Sequence, residues 1–308
     1  MPEELGIFGV IDNSIPPARA VASGEVVVFD CPGLPLPPDA TVADLIVAAD
    51  LDRPHQMVGP VEVEGAEPGD ALRVDVLAVE ASAGYGHAAL IPGEGLLGDE
   101  THSHYLHAFE WAPGASWAEL RPGVDVPLDP FCGILGVMPS RPGAHSSLPP
   151  RATGGNIDNR HLVVGACLWL PVKVRGALFF AGDGHAAQGD GEVGVSGLET
   201  AVRATLRLTV EKGLEIPAPR FQAGPPRGAH ADPRGSFGTS AVGPDLYEAS
   251  RDAIRHMVGY LSAERGLEWE EAMILCSLAV DLRITEVVDR PNWVVSAHLP
   301  LAVFGEAA

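Results

Sequence analysis

Between residue 7 and about residue 210, short apolar runs alternate with clusters of Gly, Pro and Asp. Val26 to Phe29, Gly59 to Glu64, Ala71 to Val79, Leu162 to Leu170 and Ala177 to Ala181 are the clearest runs, and their length and turn-rich borders predict strands. Turns such as Glu67-Pro68-Gly69-Asp70 separate them. Residues 198–209 fit a helix or a strand, and their Val, Thr and Leu content favours a strand. Residues 217–244, rich in Pro, Gly, Ser and Ala, read as a long irregular connection. Then the period changes. Leu246, Ala249, Ala253, Met257, Tyr260 and Leu261 follow helical spacing. A second helix is expected from about Glu268, where Glu268, Glu270 and Glu271 complement a positive helix N-terminus, and its apolar body runs to about Val280. Leu282 to Val288 and Trp293 to Phe304 read as strands. The pattern predicts a mainly β fold, β-sandwich or jelly-roll-like, over residues 1–215, with a C-terminal α+β portion, 216–308, packed on it.

The richest chemistry lies in Gly182 to Val193, GDGHAAQGDGEV, directly after the apolar run ending at Ala181. If the strand continues, Asp183 and His185 point to one face, because side chains alternate with period two. Asp190 and Glu192 repeat the offset. Carboxylate oxygens and an imidazole nitrogen are ligands that Zn²⁺ and its neighbours accept in an open, water-bearing site. A spare carboxylate, Glu192 or Asp190, then serves as general base. A solvated acidic turn is the competing local reading. Residues 189–194 also fit G-x-G-x-x-G, but two carboxylates there would repel a pyrophosphate; the spacing does not fit an EF-hand. Asp158, in Gly154 to Asp158, GGNID, is the best further ligand candidate, with an Asx-turn as its structural alternative. Asp281 reads equally as a partner for Arg283. The histidines of His102 to His107 read as a surface cluster, and His55, His230 and His298 as isolated residues.

A net charge of −21 disfavours nucleic acid and large anionic substrates. No apolar run approaches the ~20 residues that span a bilayer, and the N-terminus lacks a basic region, so neither membrane insertion nor secretion is expected. Cys31, Cys132, Cys167 and Cys276 lie far apart, as reduced thiols of a cytoplasmic protein would. Only Lys173 and Lys212 supply lysine, each in a surface-strand context. Ser–Ser–Lys and Glu–Lys–Cys amidases need a buried lysine, and G-x-S-x-G is absent from the sequence. Ser196 and Cys132 lack a base at fixed spacing, so covalent mechanisms are poorly supported.

Gly182 to Val193 also resembles the signature of the acetamidase/formamidase family. Residues 59–72, GPVEVEGAEPGDAL, resemble its early hairpin, and AALIPGEGLL, PFCGILGVMP, GGNID and LCSLAVDLRITEVVDRPN resemble further blocks in order across residues 7–304. The resemblance implies hydrolysis of short amides to carboxylate and ammonia, with bound divalent metal on a largely β scaffold. Zinc is the preferred ion and calcium the alternative. The expected arrangement has Asp183, His185 and Asp158 on metal, Glu192 or Asp190 moving protons, and Tyr85 and Gln188 meeting substrate. A small neutral amide and further copies of the chain are the expected partners. Hydrolysis of lactams or other cyclic amides, and a non-catalytic metal-stabilised binding module, are the alternatives.

Overall fold

Alternating buried and exposed positions shape the chain into two facing sheets and a helical C-terminal portion. The computed structural model describes residues 5–48, 55–224, 234–288 and 290–305. Strands and helices are numbered in chain order. One sheet runs β1 (Ile7–Phe8), β4 (Met57–Val63), β13 (Phe179–His185), β10 (Phe131–Val137) and β11 (Gly154–Asn156), with β2 (Arg19–Val21) parallel to β4. The other runs β15 (Arg220–Gln222), β12 (Cys167–Pro171), β5 (Ala71–Ala81), β14 (Val202–Glu211) and β3 (Glu25–Cys31). Val27, Phe29, Leu72, Val74 and Leu206 of the second sheet share one apolar cluster with Val58, Val61, Leu135 and Phe179 of the first. That is a sandwich core.

The first sheet is buried on both faces. Phe179 and Ala181 face the sandwich interior, whereas Phe180 packs with Met57 and Ile134 on the other side. Such a strand reads as a continuous apolar run, which is why residues 177–181 show no polar alternation. Asp183 and His185 share the parity of Phe179 and Ala181, so the interior face ends in ionisable groups.

Two hairpins, β6 (Tyr85–Leu90) with β7 (Tyr105–Glu110) and β8 (Trp117–Arg121) with β9 (Val124–Pro127), lead to the C-terminal portion. There β16 (Ser236–Gly243), β18 (Trp293–Pro300) and β17 (Asp281–Glu286) form an antiparallel sheet against α2 (Leu246–Arg265) and α3 (Trp269–Ala279). Asp245 caps α2 by accepting from the Tyr247 and Glu248 amides, and Gly266 ends it at φ 65°. Glu268 and Glu271 form a reciprocal capping box on α3. Leu90, Phe109 and Ala186 join Ile254, Leu275 and Val295 in one apolar cluster spanning both sides of residue 215.

Four local expectations require correction. The connection at 217–244 contains β15, an exposed edge strand of the second sandwich sheet, and β16, an edge strand of the C-terminal sheet whose Gly, Ser and Ala residues are largely exposed. Only Cys167–Pro171 of the run from Leu162 is strand, since Leu162 to Ala166 turns on Asn159 and Val163 carbonyls. The last strand stops at Pro300, followed by a 3₁₀ turn at Leu301–Phe304. A short helix, α1 (Val42–Ala48), escaped the periodicity because Leu45 is its only buried residue. Thr41 and Asp44 nevertheless close its N-terminus reciprocally.

Candidate active site

Four acids and one histidine meet where the sandwich interior ends. β13 delivers Asp183 and His185, with His185 Nε2 3.5 Å from Asp183 Oδ1. The turn after it brings Glu192 Oε1 to 3.9 Å from the same nitrogen. Isolated bridges of Glu199 to His87 and to His185 bring the Glu199 carboxylate to 3.0 Å from Nε2. Asp158, just beyond β11, completes a group with Asp183 and His185 whose potential ligand atoms lie within 4.8 Å of one another. His185, Glu192 and Glu199 form a second such group sharing the imidazole.

Backbone strain marks the same residues. Asp158, Asp183 and Glu192 have φ of 42°, 54° and 43°. The left-handed region is sparsely used by side-chain-bearing residues and typically costs on the order of 1–3 kcal/mol. Asp183 therefore departs from ideal strand geometry, and the period-two rule alone does not account for its meeting with His185. Gly133 of β10 supplies the space. A Cβ there would stand 2.5 Å from Asp158 Oδ1 and 2.8 Å from Asp183 Oδ2.

One hydrogen-bond relay fixes the histidine. Gln188 Nε2 donates to the Asp158 carbonyl at 2.8 Å, which turns Gln188 Oε1 toward His185 Nδ1, also at 2.8 Å. An amide oxygen only accepts, so Nδ1 carries the proton and Nε2 faces the carboxylates. Despite its proximity to Glu199, Nε2 makes no aligned hydrogen bond, and buried Asp158 Oδ1 is likewise without one. Both are buried lone-pair atoms without a hydrogen-bond partner, within reach of the cluster.

The electrostatics are unbalanced. Burial pushes the Asp158 carboxyl up, with the Asp183 charge adding to it, to about 7. Burial, followed by the Asp158 charge, pushes Glu192 well above its usual range; Glu199 rises chiefly through burial. Burial works against ionised Asp183 too, but His185 outweighs it and holds that carboxyl low. Burial disfavours the His185 cation, yet the Glu199 and Asp183 charges raise it well above the ordinary imidazole value. Packed carboxylates of this kind cannot all ionise without a further cation.

The cluster forms the floor of a cavity of about 430 Å³, with Asp158, Asp183, Glu192 and Glu199 on its surface. His55 also reaches it, with Nε2 3.7 Å from Asp183 Oδ2 and Nδ1 3.0 Å from Ser147 Oγ. His55 is thus not isolated. Sequence separation hid it, as it hid Glu199, whose nearest local sign is Gly197, tight against the His185 ring.

Three expected site residues take other positions. Asp190 turns away: its carboxylate lies 3.1 Å from His161 and 4.0 Å from Arg160. Its offset from Glu192 matched that of Asp183 from His185, but it lies in a turn, where alternation does not operate. Gln188 holds His185 and Asp158 and is not among the cavity-lining residues. Tyr85 starts β6, packs edge-on against His87, and also lies off the cavity wall. Of the other histidines, His230 lies outside the described residues.

The chain's own partners hold this loop in place. Gly189 N–H donates to the Ser277 carbonyl, Gly194 N–H to Ser277 Oγ, and Ser277 Oγ–H to the Ser196 carbonyl, at 2.7, 3.0 and 2.7 Å. Asp281 accepts from Arg160 at 3.0 Å and Arg283 at 2.8 Å, and from the Asp190 amide at 3.3 Å. Covalent machinery is not assembled here. Lys212 pairs with Asp70 at 2.6 Å, neither lysine lines the cavity, and Cys132 is buried in the sandwich cluster. Ser196 does line it, but its Oγ is engaged by the Ala89 amide at 2.9 Å.

The model of the acetamidase/formamidase family matches residues 10–147 and 141–306. The chain belongs to the acetamidase/formamidase family. Membership of that family makes it an amidohydrolase. It is 28% identical to a formamidase of Methylophilus methylotrophus, over 83% of this chain and 78% of that protein. It is 25% identical to a putative formamidase of Schizosaccharomyces pombe, over 94% of this chain and 88% of that protein. An acetamidase structure from Bacillus halodurans aligns at TM-score 0.64 and 28% identity, covering 97% and 96% of the two chains. A γ-lactamase from Delftia acidovorans shares the fold at TM-score 0.89 and 24% identity, covering 97% of this chain and 89% of that one.

Proposed function

We propose that this amidohydrolase cleaves short neutral aliphatic amides, of the formamide and acetamide type, with a divalent ion held in the acid–histidine cluster. The carrying observation is the inward-facing His185 Nε2 among buried acids, held by Gln188 and without an aligned hydrogen bond. His185, Asp183, Asp158 and Glu199 are the residues that would hold the ion. One imidazole among carboxylates suits zinc better than calcium, which prefers an all-oxygen shell. A divalent ion held there would supply Lewis acidity, polarising an amide carbonyl and acidifying water.

The residues supply the rest. Glu192, with its carboxyl raised, has an affinity for protons suited to taking one from water and giving it to the departing nitrogen. Water oxygen bonds to the carbonyl carbon, the carbon–nitrogen bond breaks, and ammonia and a carboxylic acid result. Gln188 keeps the His185 tautomer fixed throughout. Asp190 has no part in this scheme, because Arg160 and His161 already face it.

Ring amides are the second reading, since the cavity has room for a small lactam. The test is ammonia release from formamide and acetamide, with ring opening of 2-pyrrolidinone in parallel and metal content measured on the same protein. Linear-amide turnover that disappears with chelation and returns with zinc supports the proposal. Turnover confined to the ring, or unaffected by chelation that has removed all metal, contradicts it.

A cytoplasmic location accords with the four free cysteines. Self-association, with β17 and β16 as the contact region, accords with the exposed Val242, Ile284 and Val288 side chains; light scattering of the purified protein would measure it. Among the described residues, no helix is long and apolar enough to cross a membrane.

A further inference from the structure

The cavity is larger than a formamide or acetamide pocket needs to be. Acetamide has four heavy atoms and occupies on the order of three water shares of ~30 Å³ each. About 430 Å³ lies above the acids, within the range of pockets that enclose ligands much larger than acetamide. The surplus space is lined unevenly. Acids occupy the floor, while Leu34, Leu36, Leu45 and Ala48 form one apolar wall and Leu148 and Tyr247 contribute to the lining.

That wall is a built feature. Leu36, Leu45 and Ala89 form a separate buried cluster, with Leu34 and Ala48 packed against it. The capped helix α1 contributes Leu45 and Ala48. Leu148 and Tyr247 are 43% and 57% exposed, as expected at an opening. A ligand complementary to this cavity has a carboxamide at the acids and an uncharged apolar group along the leucines. A carboxylate at the far end would face apolar side chains and the field of an acidic protein.

Building on the amide-hydrolase reading above, we infer that the preferred substrates are primary amides carrying an apolar chain of several carbons, and that the α1 wall with Leu148 selects them over acetamide. Each methylene moved from water to this wall should improve kcat/KM roughly three- to fourfold, up to about six carbons. Selectivity would then reside in the wall and turnover in the floor.

The experiment measures kcat/KM for formamide, acetamide, butanamide and hexanamide, and for adipic acid monoamide, the hexanamide-length analogue ending in a carboxylate. Binding of the same compounds to Glu192→Gln protein is followed separately by ligand-observed NMR. The inference expects kcat/KM and affinity to rise from acetamide to hexanamide by on the order of 10²-fold, four methylenes at roughly three- to fourfold each, and the anionic analogue to fall behind hexanamide. Turnover that is greatest for formamide or acetamide and declines with length overturns it while leaving amide hydrolysis intact. Affinity that rises with length without turnover overturns the hydrolase reading and supports the apolar site. Neither turnover nor length-dependent affinity overturns both. As a check on location, Leu34→Ser with Leu148→Ser should bring the hexanamide-to-acetamide ratio close to one, and so should cavity-filling Ala48→Trp. Folded variants that both keep the wild-type ratio overturn the assignment to this wall.

Discussion

Two groups of acids that the fold brings to opposite sides of one loop have opposite surroundings. Asp158, Asp183, Glu192 and Glu199 gather around His185, and among the described residues the basic side chains within ion-pair distance of them are His55 and His185. Asp190 and Asp281, on the other side of the same loop, face Arg160, Arg283 and His161. The second group has its positive charge built in and ties the loop to the C-terminal portion. The first lacks comparable compensation and sits beneath a cavity. Buried acids in themselves do not mark a site; buried acids short of cations do.

Substitutions should separate the two groups. The largest loss is expected from His185→Ala or Asp183→Asn, which should abolish zinc retention and lower turnover by several kcal/mol, on the order of 10³-fold. Elemental analysis and ammonia release on the same folded samples measure both. Gly133→Ala should resemble them, because its Cβ would occupy the space beside Asp158 and Asp183. Glu192→Gln should keep zinc and lose about 10²-fold or more in kcat. Gln188→Leu removes the acceptor for His185 Nδ1–H and should weaken zinc binding by roughly 10–100-fold, read by competition with a chelating dye.

In the compensated group the order of effects reverses. Arg160→Met leaves buried Asp281 with Arg283, so thermal or denaturant unfolding should show a loss smaller than the ~3–5 kcal/mol of a buried charge left with no partner. Asp190→Asn should leave zinc content and turnover within about threefold of wild type, since surface-accessible pairs contribute little. A large loss of zinc from Asp190→Asn would erase the distinction.

Solution pH gives a gentler contrast. Asp158, raised to about 7, and Glu192 and Glu199, also raised, hold protons in the folded metal-free protein that an unfolded chain releases near pH 4. Their contribution to stability is therefore present below about pH 4 and is lost as pH climbs through about 7. Melting temperature in chelator should decline over that window. Zinc requires the ionised carboxylates, so its affinity should increase over the same window and offset the decline.

Much of this was legible in the sequence, for physical reasons that also set the limit. A strand buried on both faces and ending at Asp183 and His185 leaves a sharp apolar-to-polar boundary at Ala181. The helices at 246–265 and 269–279 announce themselves through spacing and capping acids. Glu199 and His55 carry no comparable local sign, because isolated bridges and a distant Ser147 bring them in. Asp190 lies apart from the cluster because an offset of two has directional meaning in a strand and none in a turn. The sequence reads Gln188 as a substrate contact; its hold on His185 depends on the Asp158 carbonyl, which only the fold brings within reach.

The most direct test of the central claim is anomalous diffraction at the zinc edge from crystals of the zinc-loaded protein. The account predicts a strong peak among His185 Nε2, Asp183, Asp158 and Glu199, and none beside Asp190. A fully loaded protein whose anomalous peak lies elsewhere, with the His185 cluster empty, would contradict it.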